Sequence, residues 1–402
     1  MRLAVFSGQY FVFDGKNYST DEAFVKFIAS FHRYFEKIVF CDPVSRQKET
    51  QAYVLNSAKA EVCPLPHFSV YSFWKNVVFI YPRVYRIIRD NISGWDVVWL
   101  NAPHPVSLMC AIVCKRSGKP FFLFIRQNLK VQVGYRNQGI TKTLATVAAT
   151  LLETVFRRLF SDCLTFAVGG EIFERYRKTG KAVHKTAVSL ISEKEIPHAS
   201  FHHQACHQRG KTLLSVGRLD PEKGVIYLIE AVDRLVADGK ADIILNIVGT
   251  GTEERSLRRQ VSKRGLENNV HFVGYVSHGP QLFNLYRQSD IYIQPSLTEG
   301  WPQTMFEAMA CGVPVVAARV GGLPFLIEHE ENGLLVNPAS PLGICEAVER
   351  ILGNAQLRGR LVGNGLATAR RHCLEVEREK IMGHIHRLVD ERQGTRNAKS
   401  SL

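Results

Sequence analysis

Long apolar runs are missing from this 402-residue sequence. The longest ones, such as 106–114 and 120–125, fall well short of the ~20 residues that a membrane-spanning helix needs. The first eight residues read as a short strand that ends in glycine, and no signal-peptide pattern follows them. We therefore predict a protein that stays in the cytoplasm.

Cysteine patterns and metal-binding spacings are also absent. The nine cysteines are an odd number scattered over a long chain, which is typical of reduced thiols. A cluster at His198, His202, His203, Cys206 and His207 matches no zinc spacing, so we interpret it as incidental. The chain contains no Asp-x-Asp pair, and a metal-held diphosphate would have no evident ligands. We expect no metal and no other cofactor.

Acidic residues are scarce in the first half of the chain. Residues 1–200 carry 27 Lys and Arg against 15 Asp and Glu, whereas the rest carries 24 against 22. Residues 101–150 contain seven basic side chains and no acidic one. Such an excess favours an anionic partner, which can be a membrane surface, a nucleic acid or a phosphorylated substrate. Charge serving only solubility is the alternative. No nucleic-acid recognition motif is present, so we predict no nucleic-acid partner.

Short β-rich runs alternate with helical stretches, and this rhythm occurs twice. It predicts an α/β protein of two Rossmann-like, doubly wound parallel-sheet domains that face each other across a cleft. The polar segment after residue 192 interrupts the rhythm and predicts a linker. The predicted organisation is a first, acceptor-binding domain at 1–192, a linker at 193–210, a donor-binding domain at 211–374, a helix at 375–391 that returns to the first domain, and a flexible tail at 392–402.

The stretch Glu299–Glu307 is the most informative one. It follows a predicted strand and enters a helix that we expect to begin at Pro302. The amides at the start of this helix, with the positive end of its dipole, predict a diphosphate site. Glu299 is placed to accept hydrogen bonds from sugar hydroxyls, and Glu307 to hold a ribose diol. The alternative is that both are ordinary acids of a helix start or surface.

Two cations follow the first strand of the second half. Arg218 and Lys223 lie in a loop at the carboxyl end of that strand, where their charges would neutralise a departing diphosphate. Together with the Glu299–Glu307 stretch, this loop resembles the donor domain of glycosyltransferase family 4. The elements that carry the resemblance are Gly217-Arg218-Leu219 with Lys223-Gly224, Gly249-Thr250-Gly251, Val270-x-Phe272-x-Gly274, the E-x7-E motif at 299–307, Cys311-Gly312-Val313-Pro314-Val315-Val316, Gly321-Gly322 and Asn332-Gly333-Leu334-Leu335-Val336.

The resemblance implies a GT-B fold, a nucleotide-sugar donor, retention at the anomeric carbon and no metal requirement. It implies that Arg218 and Lys223 contact the diphosphate, that Glu307 binds the ribose and that Glu299 touches the donor sugar. The main chain near Tyr275 and Val276 would receive the base. The implied donor-binding set also includes Gly15, Gly249, Gly300, Thr304, Met305 and Phe306.

The sequence departs from the family at two places. Pro324-Phe325 stands where the family usually has Pro-Glu. Many members also carry a histidine after a first-domain strand, and the matching strand here leads into Arg126. His104 is the nearest substitute and our catalytic candidate, although a lone loop histidine is more often a surface residue. Arg126 is an acceptor-side candidate that would hold a phosphate.

These observations predict a retaining glycosyltransferase. It would move a sugar from a UDP- or GDP-sugar to a glycan or lipid-linked acceptor in bacterial cell-surface polysaccharide biosynthesis. The segments 24–37, 73–89 and 155–160 interleave aromatic and basic residues, which predicts peripheral binding at the inner, anionic face of the plasma membrane. The alternative is that their aromatic side chains face the core and their cations face water. The alternative function is a catalytically silent nucleotide-sugar-binding subunit that supports a partner glycosyltransferase.

Overall fold

The structure, a computed structural model, describes residues 1–46, 50–67, 76–126, 128–130, 139–197 and 211–400. The chain divides into two compact units. The first comprises Met1–Val168, Ile172–Leu190 and Glu377–Leu402, and the second comprises Gly169–Glu171 and Ile191–Val376. Each unit is built on a parallel sheet with α-helices between most of its successive strands, as the alternating pattern predicts.

The first unit holds a seven-stranded parallel sheet and a small four-stranded sheet. The strands are β1 (Arg2–Phe6), β2 (Phe11–Phe13), β3 (Tyr18–Thr20), β4 (Lys37–Phe40), β5 (Val44–Arg46), β6 (Tyr53–Val54), β7 (Ala60–Val62), β8 (Val97–Ala102), β9 (Phe121–Ile125), β10 (Thr165–Val168) and β11 (Val183–Thr186). The large sheet has the order β11-β10-β9-β8-β1-β4-β7, and the small sheet has the order β5-β2-β3-β6. The chain fills the large sheet on one side of β1 first and then crosses to β8 on the other side.

Aromatic side chains fill the core of the first unit. Trp99 of β8 is fully buried, and its ring contacts those of Phe27 and Phe31 edge to face. Phe124 of β9 packs on the same indole. The helices in this part of the chain are α1 (Phe24–Ala29), α2 (Tyr81–Asn91), α3 (Pro105–Arg116), α4 (Gly139–Leu159) and α5 (Gly170–Arg177).

The second unit contains one six-stranded parallel sheet. Its strands are β12 (Lys211–Val216), β13 (Ile243–Val248), β14 (Val270–Gly274), β15 (Ile291–Gln294), β16 (Val315–Ala318) and β17 (Leu334–Val336), in the order β14-β13-β12-β15-β16-β17. β12 pairs with β13 on one side and with β15 on the other, so the strand order reverses between β12 and β15. The helices of the second unit are α6 (Val225–Ala237), α7 (Glu254–Lys263), α8 (Pro280–Arg287), α9 (Gln303–Ala310), α10 (Pro341–Gly353) and α11 (Ala355–Arg371). The last helix, α12 (Leu374–Ser400), belongs to the first unit from Glu377 onward.

The structure differs from the sequence predictions at several boundaries. α12 extends to Ser400, so the end predicted at 391 lies inside the helix, whose later residues are mostly good helix formers. Pro302 is the N-cap of α9 rather than its first residue, because its ψ of 125° is extended. The predicted linker has a short 3₁₀ turn at Glu193–Glu195, and its histidine and cysteine cluster lies outside the described residues.

Candidate functional site

The site begins at the carboxyl ends of β12 and β15, where the strand order of the second sheet reverses. Open parallel α/β sheets bind ligands at this kind of switch point. The loop after β12 contains Arg218 and turns through the 3₁₀ helix Pro221–Lys223. The loop after β15 contains Glu299 and leads into α9. The structure therefore brings together the two loops that the sequence singles out.

A buried ion pair joins these loops. Lys223 Nζ lies 2.5 Å from Glu299 Oε1, with side-chain exposures of 20% and 7%. The same carboxylate oxygen accepts hydrogen bonds from Ser296 Oγ at 2.7 Å and from Gln294 Nε2 at 2.8 Å. Every hydrogen bond that the described residues make to the Glu299 carboxylate reaches Oε1. The carboxylate is thus fixed through one oxygen.

Arg218 has a different environment from Lys223. Its side chain is 56% exposed, and its guanidinium pairs with Asp220 at 2.5 Å and with Glu222 at 3.2 Å. Asp220 also accepts hydrogen bonds from the amide and hydroxyl of Thr252, in the loop after β13. The carboxylates of its own loop therefore hold Arg218 at the mouth of the site.

Glycines allow the site loops to approach each other closely. Gly249 has φ of 129°, and a Cβ there would lie 1.9 Å from the carbonyl oxygen of Gly217. Gly321 has φ of 51°, and a Cβ there would meet the carbonyl oxygen of Glu299 at the same distance. Gly322 donates its amide hydrogen to that carbonyl. No side chain fits in these positions without moving the Glu299 loop or the Gly217 turn.

The N-terminus of α9 lies beside this pair in the chain. No side chain caps it in the part of the protein that the structure describes. Thr304 directs its hydroxyl to Gln294 Oε1 at 3.2 Å, whereas the side chains of Met305 and Phe306 are fully buried in the core. Met305 and Phe306 can therefore serve a ligand only through their main chain, and the first turn keeps the positive end of its dipole uncapped.

Glu307 is buried rather than on the surface. Its Oε2 accepts a hydrogen bond from Tyr286 at 2.9 Å, and His278 Nε2 lies 3.6 Å from its Oε1. Burial, followed by the nearby charge of Glu307, raises the pKa of Tyr286 well above its usual value, so the phenol remains a hydrogen donor. Sequence reasoning missed Tyr286 and His278 because neither belongs to a motif.

Apart from Gly15, the remaining donor-side predictions lie in loops of the second unit. Gly249 follows β13 directly, and the main chain of Gly300 packs against Gly322. Tyr275 is exposed and Val276 half-buried, just after β14. Phe325, the departure from the family pattern, is half exposed.

His104 and Arg126 lie at the carboxyl ends of β8 and β9 in the first unit. His104 is the N-cap of α3, and its Nδ1 accepts the amide hydrogen of Val106 at 3.2 Å. Burial lowers its pKa to about 4. The Arg126 guanidinium stacks on the ring of Phe24 at 3.7 Å, and burial lowers its pKa to about 10. With a pKa near 4, His104 is neutral at pH 7. Because its Nδ1 accepts a hydrogen bond from Val106, the ring proton is on Nε2.

Gly15, which the family resemblance implies for donor binding, is in the first unit. It lies in the hairpin turn between β2 and β3, where Asp14 accepts the amide hydrogens of Lys16 and Asn17. The segment before α1 thus contains an antiparallel hairpin, which the sequence does not predict. The glycine that follows β1 directly is Gly8, whose amide donates to Asp42 Oδ1 at 2.9 Å.

The described residues include no group of three or more His, Cys, Asp or Glu side chains placed to hold a metal ion. They also include no helix with both the length and the apolar character needed to cross a membrane.

Comparison with known proteins places this chain in a family. A profile described as glycosyl transferases group 1 matches residues 200–367. A phosphatidyl-myo-inositol mannosyltransferase of Mycobacterium leprae is 34% identical over 344 residues, which cover 85% of each chain. An uncharacterised glycosyltransferase of Methanocaldococcus jannaschii is 37% identical over 154 residues, or 38% of this chain. The chain spans about two fifths of that relative's length, since 39% of it is aligned.

A solved structure supports the fold. The Anabaena protein Alr3699/HepE in complex with UDP has a TM-score of 0.69 at 19% identity, and the match covers 96% of this chain and all of that one. The predicted GT-B class, with two Rossmann-like domains in one chain, is confirmed. The profile match and the mannosyltransferase relative show that the chain belongs to the glycosyl transferases group 1 family.

Proposed function

We propose that the protein is a retaining glycosyltransferase. It moves a sugar from a UDP- or GDP-sugar to a hydroxyl of a glycan or lipid-linked acceptor, in bacterial cell-surface polysaccharide biosynthesis. The observation that carries this proposal is the Lys223–Glu299 pair beside the uncapped N-terminus of α9. The mannosyltransferase relative and the UDP complex of the Anabaena protein support it.

The diphosphate would bind to the Lys223 ammonium and the amides of the first turn of α9. An ammonium has three hydrogens, and Glu299 takes one of them in this structure. The other two are available to phosphate oxygens, and a neutralised diphosphate is a better leaving group. Arg218 would join by exchanging Asp220 and Glu222 for the phosphate.

The sugar and the ribose would bind to the two carboxylates. Glu299 uses Oε1 within the protein, which leaves Oε2 to accept hydrogen bonds from sugar hydroxyls. Glu307 would accept from the ribose hydroxyls while Tyr286 orients it. The acceptor attacks from the face of the leaving group, and the departing phosphate oxygen takes its proton. This route needs neither a protein base nor a metal, and it fits a histidine that is neutral and caps a helix.

A panel of UDP- and GDP-sugars tests the proposal. We expect one donor to raise Tm and to be hydrolysed slowly, and the transferred sugar to keep its anomeric configuration by NMR. Glu307→Ala should abolish both effects, and EDTA should change neither. Donor binding without hydrolysis or transfer to any acceptor would instead support the silent subunit, for which Phe325 and the missing histidine are the arguments. No binding to any nucleotide sugar would refute both.

We also propose that the protein binds peripherally at an anionic membrane face. The rings of Phe24, Phe27 and Phe31 are buried in the core and lend this no support, so the argument rests on the surface of α4. Leu144, Val147 and Leu151 follow helical spacing, and each is more than half exposed. Glu153 is the only acidic residue in this helix. Its side chain is buried, and its carboxylate accepts a hydrogen bond from the guanidinium of Arg175. Arg158 is exposed and its spacing puts it on the same side of the helix as the three exposed apolar residues, whereas the exposed Lys142 lies on the opposite side. A basic and apolar face of this kind fits an anionic bilayer interface.

Vesicle flotation tests this interface. The wild type should bind vesicles that contain anionic phospholipid at low salt and ignore zwitterionic ones. Leu144→Ser/Leu151→Ser should weaken binding by about tenfold or more, because two apolar side chains are lost. Leu342→Ser changes a similarly exposed leucine in the second unit and should have no effect. Wild-type protein that ignores anionic vesicles would remove the membrane part of the proposal.

A further inference from the structure

Gln294, the last residue of β15, is the most fully hydrogen-bonded side chain near the site. It is buried, and its Oε1 accepts from the hydroxyls of Tyr292 and Thr304. Its Nε2 donates to Ser296 Oγ at 2.7 Å and to Glu299 Oε1 at 2.8 Å. A carboxamide has two acceptor sites and two hydrogens, and here all four are used.

The orientation of this carboxamide follows from its neighbours. A carboxylate only accepts hydrogen bonds, so the atom of Gln294 that faces Glu299 must be the nitrogen. The oxygen then faces Tyr292 and Thr304. Burial raises the pKa of Tyr292, so its hydroxyl remains a donor over the working pH range. Gln294 therefore has one orientation that satisfies every partner.

Through these bonds Gln294 connects two parts of the site. Thr304 belongs to the first turn of α9, where the diphosphate is proposed to bind, and Glu299 is the proposed sugar contact. Ser296 relays a second hydrogen bond to the same Glu299 oxygen. A side chain that fixes Oε1 of Glu299 also determines the direction in which Oε2 points.

We propose that Gln294 is a positioning residue of the donor site, which aims Glu299 at the donor sugar and aligns it with the first turn of α9. This inference rests on the proposed function. It differs from a purely structural role, in which Gln294 would only satisfy buried polar groups. The two roles predict different pH profiles of activity. They also predict different effects on the binding of the donor sugar and of the nucleoside diphosphate.

Gln294→Glu is the sharpest test. The new carboxyl would lie beside Glu299, and two adjacent carboxylates share a proton because both cannot ionise readily. While the pair holds that proton, residue 294 still donates to Glu299. When the proton is lost, the two groups repel each other. We expect kcat/KM near the wild-type value at pH 5.5 and a loss of about tenfold or more by pH 8, relative to wild type.

Gln281→Glu is the matched control, because it makes the same change at an exposed position on α8. Its pH profile should follow that of the wild type. Gln294→Met removes the four hydrogen bonds at similar volume. It should lower kcat by about 10- to 100-fold while the Kd of the sugar-free nucleoside diphosphate changes by less than about threefold.

Two results would overturn the inference: a wild-type pH profile for Gln294→Glu, or loss of nucleoside-diphosphate binding in Gln294→Met in step with activity. If the wild type turns over no nucleotide sugar, the proposed function fails separately. In that case the Kd of the nucleotide sugar is compared with the Kd of the nucleoside diphosphate across the pH range. Gln294→Glu should lose only the extra affinity that the sugar provides, and an unchanged difference would refute the positioning role.

Discussion

Lys223 Nζ and Glu299 Oε1 lie 2.5 Å apart, although 76 positions separate the two residues in the chain. The pair joins the two loops at the centre of the second sheet, and both side chains are largely buried. Each residue has a proposed ligand and also serves as the other's partner. Substitutions must therefore be assessed for stability as well as for activity.

Lys223→Met should destabilise the protein by about 2 kcal/mol, because it leaves a buried carboxylate with only neutral donors. Glu299→Gln should lower the free energy of unfolding by less, because the Lys223 ammonium is partly exposed to solvent. The double variant should be more stable than the sum of the single losses predicts, yet remain inactive. Chemical denaturation measures these values. Strictly additive losses would show that the pair contributes little.

Tyr286→Phe should weaken nucleotide-sugar binding by about tenfold, because Glu307 loses the phenol that orients it in a buried setting. Calorimetric titration measures the affinity. Tyr85→Phe in the first unit, where the tyrosine is half-buried, is the control and should bind the donor normally. An unchanged affinity in Tyr286→Phe would separate Glu307 from ribose binding.

His104→Asn should retain the cap of α3 and remove an acid-sensitive group. The folded state holds the His104 pKa near 4, below the ordinary value of 6.5. The unfolded chain therefore binds a proton first as the pH falls, and the wild type loses stability between about pH 6.5 and 4. His104→Asn should lose less over that window, whereas His104→Ala should be about 1 kcal/mol less stable at pH 7.

Activity separates the roles of His104. If it is only a helix cap, His104→Asn keeps wild-type kcat, whereas a catalytic His104 would make that variant stable and slow. Equal acid sensitivity of the wild type and His104→Asn in denaturation experiments would contradict the lowered pKa of His104 in the folded state.

Asp42→Asn should become favourable as the pH rises. Burial raises the pKa of Asp42 to about 7, against the lowering effect of hydrogen bonds from Ser7 and Gly8. The folded state therefore holds its proton above the unfolded value of 3.8, and stability is lost as pH rises from about 4 to 7. Relative to wild type, Asp42→Asn should gain at least about 1 kcal/mol between pH 5 and 8.

Asp14 provides a control with the opposite sign. Hydrogen bonds from the main chain of Asn17 and from Thr50 lower its pKa to about 2. Its contribution is therefore present above about pH 4 and lost as the pH falls toward 2. Asp14→Asn should show no gain between pH 5 and 8, and a similar gain there would undermine the assignment to Asp42.

Local patterns predict much of the second unit. Strand runs, the Pro302 turn and the E-x7-E spacing place Glu299 and α9 correctly, because the ends of parallel strands share one edge of the sheet. The partners of these residues are not predictable in the same way. Gln294 and Tyr286 belong to no motif, and only the packing of β15 and α8 beside α9 gives them their roles.

The first unit was harder to predict. The segment 11–20 forms a hairpin around Gly15, although its composition also fits a loop leading to a helix. His104 looks like a free loop histidine in the sequence, and its cap to Val106 depends on the turn after β8. Short strands and side-chain caps depend on neighbours distant in the chain, so a local window carries little information about them.

The pairing of β12 with β15 also has a consequence for folding. A chain that has formed β12, β13 and β14 already has the Arg218 loop, but it has neither Glu299 nor α9. The groups that we propose to bind the diphosphate come together only when β15 closes a long loop onto β12, which is a slow, non-local step. Nucleotide-sugar binding should therefore appear late in refolding. The bound ligand should also slow the dissociation of β15 from β12 during unfolding.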